Sequence, residues 1–388
     1  TDYKLVYSKY SGVSITQVTE DFGSVARPSA PTIGAWEFAG ENMWKGSVSS
    51  VWSDSRNWTK SVVPIADADI EFDPNPMNDL VMDINQSVGN VTISQSVYKL
   101  VLNGLQLTLK GDFDLSNGAK IDATAANSKI VYSGSSVQNL NADHFVDNKV
   151  FYVTINNTSN VLLSGNLVVL GSLNKASGFI DAYSNNNTLT YKGSVMQQIP
   201  EGLFKDSILN ALIVDNPVEL RLNSSIVVNS DVQILANSKF VLSPTARLKV
   251  NGSLVNNAGV SGLTLNSTVS GTASLVHNTN NVQATVKRYM GGTVLATDRG
   301  DWHFYSSPVG GQTIGGDWKP AGRYGDGTGY DLYVWNEPSA CWVYNLNTTV
   351  APTWASSHPS SDFITGKGYL YAVDTIKVTK TSTGILHN

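Results

Sequence analysis

A stretch near the middle of the chain is written twice, 59 residues apart. Tyr132-Ser133-Gly134-Ser135-Ser136-Val137-Gln138 returns as Tyr191-Lys192-Gly193-Ser194-Val195-Met196-Gln197. With no gap, Phe145 maps onto Phe204, Val153-Thr154-Ile155 onto Leu212-Ile213-Val214, and Asn157 onto Asn216. Leu167 matches Ile226 at the same offset, and Gly111 matches Gly171 at an offset of 60. A fixed period of this length marks a stacked, quasi-one-dimensional architecture. The unit fits about three times, over 73–131, 132–190 and 191–250, with the first copy the least similar.

Short apolar or alternating runs fill these copies, among them Leu105-Gln106-Leu107-Thr108-Leu109, Val161-Leu162-Leu163, Leu167-Val168-Val169-Leu170 and Arg247-Leu248-Lys249-Val250. Gly, Asn, Asp or Ser bounds most of them, which is the pattern of strands punctuated by turns. Helical periodicity is nearly absent. One solenoid turn of three short strands takes about 20 residues, so each copy is expected to hold two to three turns. Aliphatic runs buried this way fit a right-handed parallel β-helix, and a stacked array of β-sandwiches is the structural alternative.

From about residue 260 the pattern breaks and aromatics crowd in, from Trp302, Phe304 and Tyr305 to Tyr369 and Tyr371. Bulky aromatic cores suit compact sheets better than a thin solenoid interior. The expected class is therefore all-β, a right-handed parallel β-helix or solenoid followed by a C-terminal β-sandwich-like domain. The expected division is 1–40, the tail of an upstream β-helix domain; 41–258, the repeat solenoid; and 259–388, the aromatic-rich β domain.

Charged residues make up only 15% and the net charge is −5. Phosphate binding needs a basic field, so nucleic acid is not an expected partner. Cys341 is the only cysteine, which rules out an internal disulfide. No apolar run approaches the ~18 residues a membrane span requires. The chain starts at Thr1 without a signal peptide and reads as a processed piece of something longer.

Three segments carry a resemblance. Asp21-Phe22-Gly23-Ser24-Val25-Ala26-Arg27-Pro28, followed by Ile33-Gly34-Ala35-Trp36-Glu37-Phe38, resembles the closing segment of bacterial secreted parallel β-helix domains. Trp36 stands where those domains usually have Tyr, and Gly23 comes one residue early. Trp44 and Gly46, with Trp52-Ser53-Asp54-Ser55-Arg56-Asn57-Trp58 and Val62-Val63-Pro64, resemble a module opening of large Bacteroidetes surface proteins. Trp302-His303-Phe304-Tyr305-Ser306-Ser307-Pro308-Val309, Tyr330-Asp331-Leu332-Tyr333 and Gly366-Lys367-Gly368-Tyr369-Leu370-Tyr371 resemble a domain that precedes the sorting signal of type IX secretion cargo. No sorting domain follows here. The resemblance implies a secreted or outer-surface, adhesin-like protein, and it names no reaction.

Asp67, Asp69, Glu71 and Asp73 alternate with apolar residues and so share one strand face. Residues i and i+2 lie about 7 Å apart along a strand, so the four cannot all ligate one Ca²⁺, and a solvated face is expected. Asp326 and Asp331 around Gly327-Thr328-Gly329 supply oxygens that could hold Ca²⁺, against the plainer reading of a Gly-rich turn. No other cofactor is indicated. His144, His277, His303, His358 and His387 have no metal-ligand spacing, and no nucleophile elbow exists. Trp302 to Pro308 is expected to be core.

Trp335, Trp342 and Tyr344 are the candidate ligand platform, because Trp and Tyr faces stack on sugar rings. Asp206-Ser207-Ile208 and Asp374-Thr375-Ile376 resemble Bacteroidetes O-glycosylation tripeptides. The expected function is non-catalytic display or adhesion, with a glycan or a host or cell-surface component as partner. The alternative is the non-catalytic part of a polysaccharide-degrading lyase or glycosidase.

Overall fold

The computed structural model describes residues 18–20, 27, 42–291, 302–320, 332–372 and 378–387. The expected upstream tail, 1–40, lies almost entirely outside them. The chain is a parallel β-solenoid with a C-terminal sheet domain. It divides into two compact units, one of residues 1–189 with 203–205, the other of 190–202 with 206–388.

In the first unit, strands stack in parallel ladders. Ile70 pairs with Val91 and Val91 with Phe113. Leu80, Leu100 and Ile121 form a second stack. Leu107, Ile130, Val153 and Leu173 form a third. Many strands alternate one buried residue with one half-buried residue, as in Gln106–Leu109 and Val161–Ser164. The buried row is aliphatic: Leu107, Ile130, Val153, Val161 and Leu167 expose nothing to solvent. β-Branched and leucine side chains suit this flat interior because neighbouring turns pack at strand spacing.

The second unit repeats the scheme. Leu212, Val232 and Leu254 are stacked at steps of 20 and 22 residues. Gln197, Leu220, Phe240 and Leu263 form another column. A turn of this length matches the expected three short strands and puts between two and three turns into each 59-residue copy. The parallel ladder runs on beyond residue 258, through Leu263–Leu265 and Ser274–Val276 to Gln283–Met290.

The Asn- and Gly-rich composition is explained by the corners. Asn103, Asn117, Asn127, Asn160, Asn186 and Asn237 all hold positive φ, a conformation that Asn tolerates better than most residues. Other Asx side chains tie successive turns together. Asp69 Oδ1 accepts from the Asn90 amide at 2.6 Å, Asn90 Oδ1 from the Asp112 amide at 3.0 Å, and Asp112 Oδ1 from the Asn139 amide at 2.8 Å. Part of the acidic run thus serves backbone satisfaction, while Ile70 and Phe72 between its members are buried.

Three tryptophans close the start of the described solenoid. Trp44, Trp52 and Trp58 are buried, with Trp58 edge-on to both of the others at 5.3 Å. Trp44 bridges in parallel to Phe72, and Val51 to Val81, so the segment lies on the first turn as a cap.

At the other end the ladder changes sense. Gln283–Met290 pairs in parallel with Leu263–Leu265 on one edge and antiparallel with Val378–Leu386 on the other. A separate antiparallel sheet follows, with strand order Trp302–Tyr305, Tyr369–Ala372, Leu332–Asn336, Cys341–Tyr344. Its inner face, with Tyr305, Leu332, Val334, Val343, Tyr369 and Tyr371, packs with Met290, Trp318 and Phe363. Among the described residues, no helix is long and apolar enough to cross a membrane.

Candidate functional site: an aromatic sheet face

The two faces of the C-terminal sheet are both aromatic, and among the described residues only the inner one is packed into a core. Side chains alternate along each strand, so burying one set leaves the other outward. On the inner face Tyr305 stacks on Trp318 with ring centroids 4.1 Å apart. Trp318 Nε1 donates to the Thr381 carbonyl at 2.9 Å, and the Tyr305 hydroxyl shares a 3.0 Å hydrogen bond with Ser382 Oγ. His358 is buried against Trp354 and Tyr369, sharing a 2.7 Å hydrogen bond with the Tyr369 hydroxyl. Burial holds its pKa below the ordinary 6.5.

The outer face carries Trp302 and Phe304 from one strand, Tyr333 and Trp335 from another, and Trp342 and Tyr344 from the edge strand. Register places Trp335 opposite Trp342 and Tyr333 opposite Tyr344. Trp335 and Trp342 sit edge-on at 5.4 Å, Trp302 and Tyr333 at 5.4 Å, and Phe304 lies 6.2 Å from Trp342. Phe304 is 82% exposed, Trp302 42% and Trp342 37%. Such contiguous exposed aromatic surface marks a binding site more often than chance.

Polar groups gather at one end of the face. Trp335 Nε1 donates to Glu337 Oε2 at 2.5 Å. A hollow of about 400 Å³ adjoins it, lined by Trp335, Asn336, Glu337 and Lys367 among others. Asn336 Nδ2 donates to Ser357 Oγ at 2.9 Å and Lys367 Nζ to the Ser357 carbonyl at 2.5 Å, which fixes the floor of that hollow. An apolar platform beside a fixed set of donors and acceptors can hold a ring-shaped ligand with hydroxyls at its edge.

The three residues singled out in the sequence, Trp335, Trp342 and Tyr344, therefore share one face and two neighbouring strands. Trp302 and Phe304, expected in the core, face outward instead; in their strand only Tyr305 is buried. The physical reason is alternation in a strand that is bulky on both sides. Period-two reading of Trp302-His303-Phe304-Tyr305 separates the two sets but does not say which is outer. Asp326 and Asp331 lie outside the described residues, as does Asp374-Thr375-Ile376. Among the described residues, no three His, Cys, Asp or Glu are grouped to hold a metal. Asp206 and Ser207 both hold positive φ, as do Asp147 and Asn148 at the equivalent place 59 residues earlier.

Comparison with known protein families, with curated proteins and with solved structures finds no match.

Proposed function

We propose that the chain is a non-catalytic structural protein of the extracellular or outer cell surface, an adhesin-like spacer whose C-terminal sheet binds glycans. The parallel solenoid is compatible with a structural role, since each turn contacts only its neighbours. One observation carries the glycan reading: six aromatic side chains on one outer sheet face, with Phe304 82% exposed. Burying an aromatic ring contributes strongly to stability, so leaving several in water is costly unless a ligand covers them. Sugar rings present flat C–H faces to such a platform, and the hollow beside Trp335 offers groups for their hydroxyls.

The test is binding of the full chain to a panel of immobilised polysaccharides, with Trp342→Ala and Trp335→Ala alongside. Loss of about fivefold or more in affinity is expected for each, given that stacking on an exposed ring contributes on the order of 1 kcal/mol or more. Retention of full affinity by both variants, or failure to bind any glycan, would sink the reading.

A further inference from the structure

A cleft of about 700 Å³ opens in the second unit, between the strands Ser274–Val276 and Gln283–Met290 and the segment Phe304 to Pro308. Its charge is lopsided. Arg288 and Lys287 line it beside the imidazoles of His277 and His387, and among the described residues no aspartate or glutamate does. This is a concentration of positive charge in a chain whose net charge is −5.

Arg288 has no carboxylate beside it to balance its charge among the described residues. It stands directly opposite Lys380 in the antiparallel pair of Gln283–Met290 with Val378–Leu386. Opposed residues share a face, and like charges there repel. The two cations part: the Lys380 ammonium lies over the Tyr371 ring, 5.7 Å from its centroid, and Arg288 Nη1 donates to Thr272 Oγ1 at 3.4 Å. A hydroxyl at that distance uses one of five guanidinium donors and neutralises no charge. Among the described residues no carboxylate forms an ion pair with Arg288.

Phe304 joins the cleft to the aromatic face, because it lines the first and lies 6.2 Å from Trp342 on the second. A volume of this size falls in the range of sites that hold small ligands, about 300–1,000 Å³. We infer that the ligand is an anionic glycan, one acidic sugar seating its carboxylate or sulfate at Arg288 while a neighbouring ring stacks on Phe304. The inference rests on the glycan reading of the aromatic face and adds the ligand's charge. A planar guanidinium pairs with carboxylate or sulfate oxygens through two parallel hydrogen bonds, which a neutral sugar cannot offer.

The experiment uses the full chain, immobilised polygalacturonate and alginate for carboxylates, heparin for sulfates, mannan as the neutral polymer and poly-L-glutamate as the acidic peptide. The expected result is preference for carboxylated or sulfated glycan over mannan, with Arg288→Gln weakening it about tenfold or more and Arg288→Lys less. Which anionic polymer binds assigns the acid group. Arg288 is exposed, and an unchanged far-ultraviolet circular dichroism spectrum confirms that the variant folds. Equal affinity for mannan, equal affinity for poly-L-glutamate, or an Arg288→Gln variant that binds like the parent would each overturn the inference. Binding that survives Arg288→Gln but is lost in Trp342→Ala overturns the anionic ligand and leaves the aromatic reading standing. Binding that depends on Arg288 alone overturns the aromatic reading, and a chain that binds no glycan overturns both.

Discussion

The Asn157 side-chain amide donates to Gln138 Oε1 across 2.9 Å, one turn apart inside the solenoid, and the same pair recurs as Asn216 to Gln197, also at 2.9 Å. All four side chains are buried. Gln138 Oε1 also accepts from the Gly134 amide at 2.8 Å, and its Nε2 donates to the Leu109 and Gly111 carbonyls. Asn157 Nδ2 reaches the Ser136 carbonyl at 2.7 Å, as Asn216 reaches that of Val195 at 2.8 Å. The repeated segment is thus a corner whose backbone polar groups are met by a glutamine, which an asparagine on the next turn holds in place.

Gln138→Leu keeps the volume and removes the bonds that the Gln138 side chain makes. It leaves the buried Gly134 amide without its acceptor, takes a donor from the Leu109 and Gly111 carbonyls, and leaves Asn157 Nδ2 with the Ser136 carbonyl alone, and each buried group left unsatisfied costs about 1–3 kcal/mol. A fall in stability of about 3 kcal/mol is expected from urea unfolding, with a similar loss for Gln197→Leu. Gly193→Ala is expected to act on the same corner, since a Cβ there would lie 2.6 Å from Gln197 Cδ. Stabilities within about 0.5 kcal/mol of the parent for all three would show that the corner does not depend on the glutamine.

The tyrosines of the same echo behave in the opposite way. Tyr132 and Tyr191 are fully buried, and neither hydroxyl has a hydrogen-bond partner among the described residues. Burial raises both pKa values, so neither ionises in the working range. Tyr132→Phe and Tyr191→Phe remove an unsatisfied polar atom and keep the ring, so each is expected to stabilise the fold by about 1 kcal/mol. Thermal midpoints measured for the two variants and their combination check this, and a clear drop in either would mean that the hydroxyl is engaged.

These corners show why the repeat is legible in the sequence. Tyr, Gly, Gln and Asn recur because the corner needs those atoms at fixed places. Turn length is harder to read, because the step between stacked residues varies: Leu212 to Val232 is 20 residues and Gln197 to Leu220 is 23. The continuation of the ladder through Leu263–Leu265 is masked by the Ser- and Thr-rich composition there, where only Leu263 and Leu265 turn inward. In the C-terminal sheet, the platform of Trp335, Trp342 and Tyr344 follows from strand alternation. The outward turn of Trp302 and Phe304 does not, since the choice of face is made by Trp318 and Phe363 packing on Tyr305 from distant parts of the chain.

Asn57 ties the tryptophan cap together. Its Oδ1 accepts from the Val48 and Ser49 amides, both at 2.9 Å, and its Nδ2 donates to Ser49 Oγ and the Val51 carbonyl. The residue is fully buried beside Trp58. Asn57→Ala is expected to cost about 2–4 kcal/mol, because two backbone amides lose their acceptor inside the cap. In a solenoid each turn leans on its neighbour, so the loss is expected first in the opening turns. Hydrogen exchange should quicken over strands Ile70–Glu71 and Leu80–Val81 and stay unchanged over the C-terminal sheet. Uniform quickening along the chain, or none, would contradict a local cap.

His358 makes the C-terminal sheet sensitive to acid. Burial depresses its pKa below 6.5 and the nearby Lys367 ammonium acts in the same direction, while neighbouring backbone groups oppose them more weakly. The folded state therefore favours the neutral imidazole, and the unfolded chain binds the proton more readily. Stability from this group is full above the unfolded value of about 6.5 and is lost as pH falls through that value toward the lower folded one. His144 and His277 are also depressed by burial and add to the slope. His358→Gln keeps a group able to bond the Tyr369 hydroxyl and does not titrate. Its thermal midpoint between pH 8 and pH 5 is expected to fall less than that of the parent. Parallel curves for the two proteins would place the acid sensitivity elsewhere.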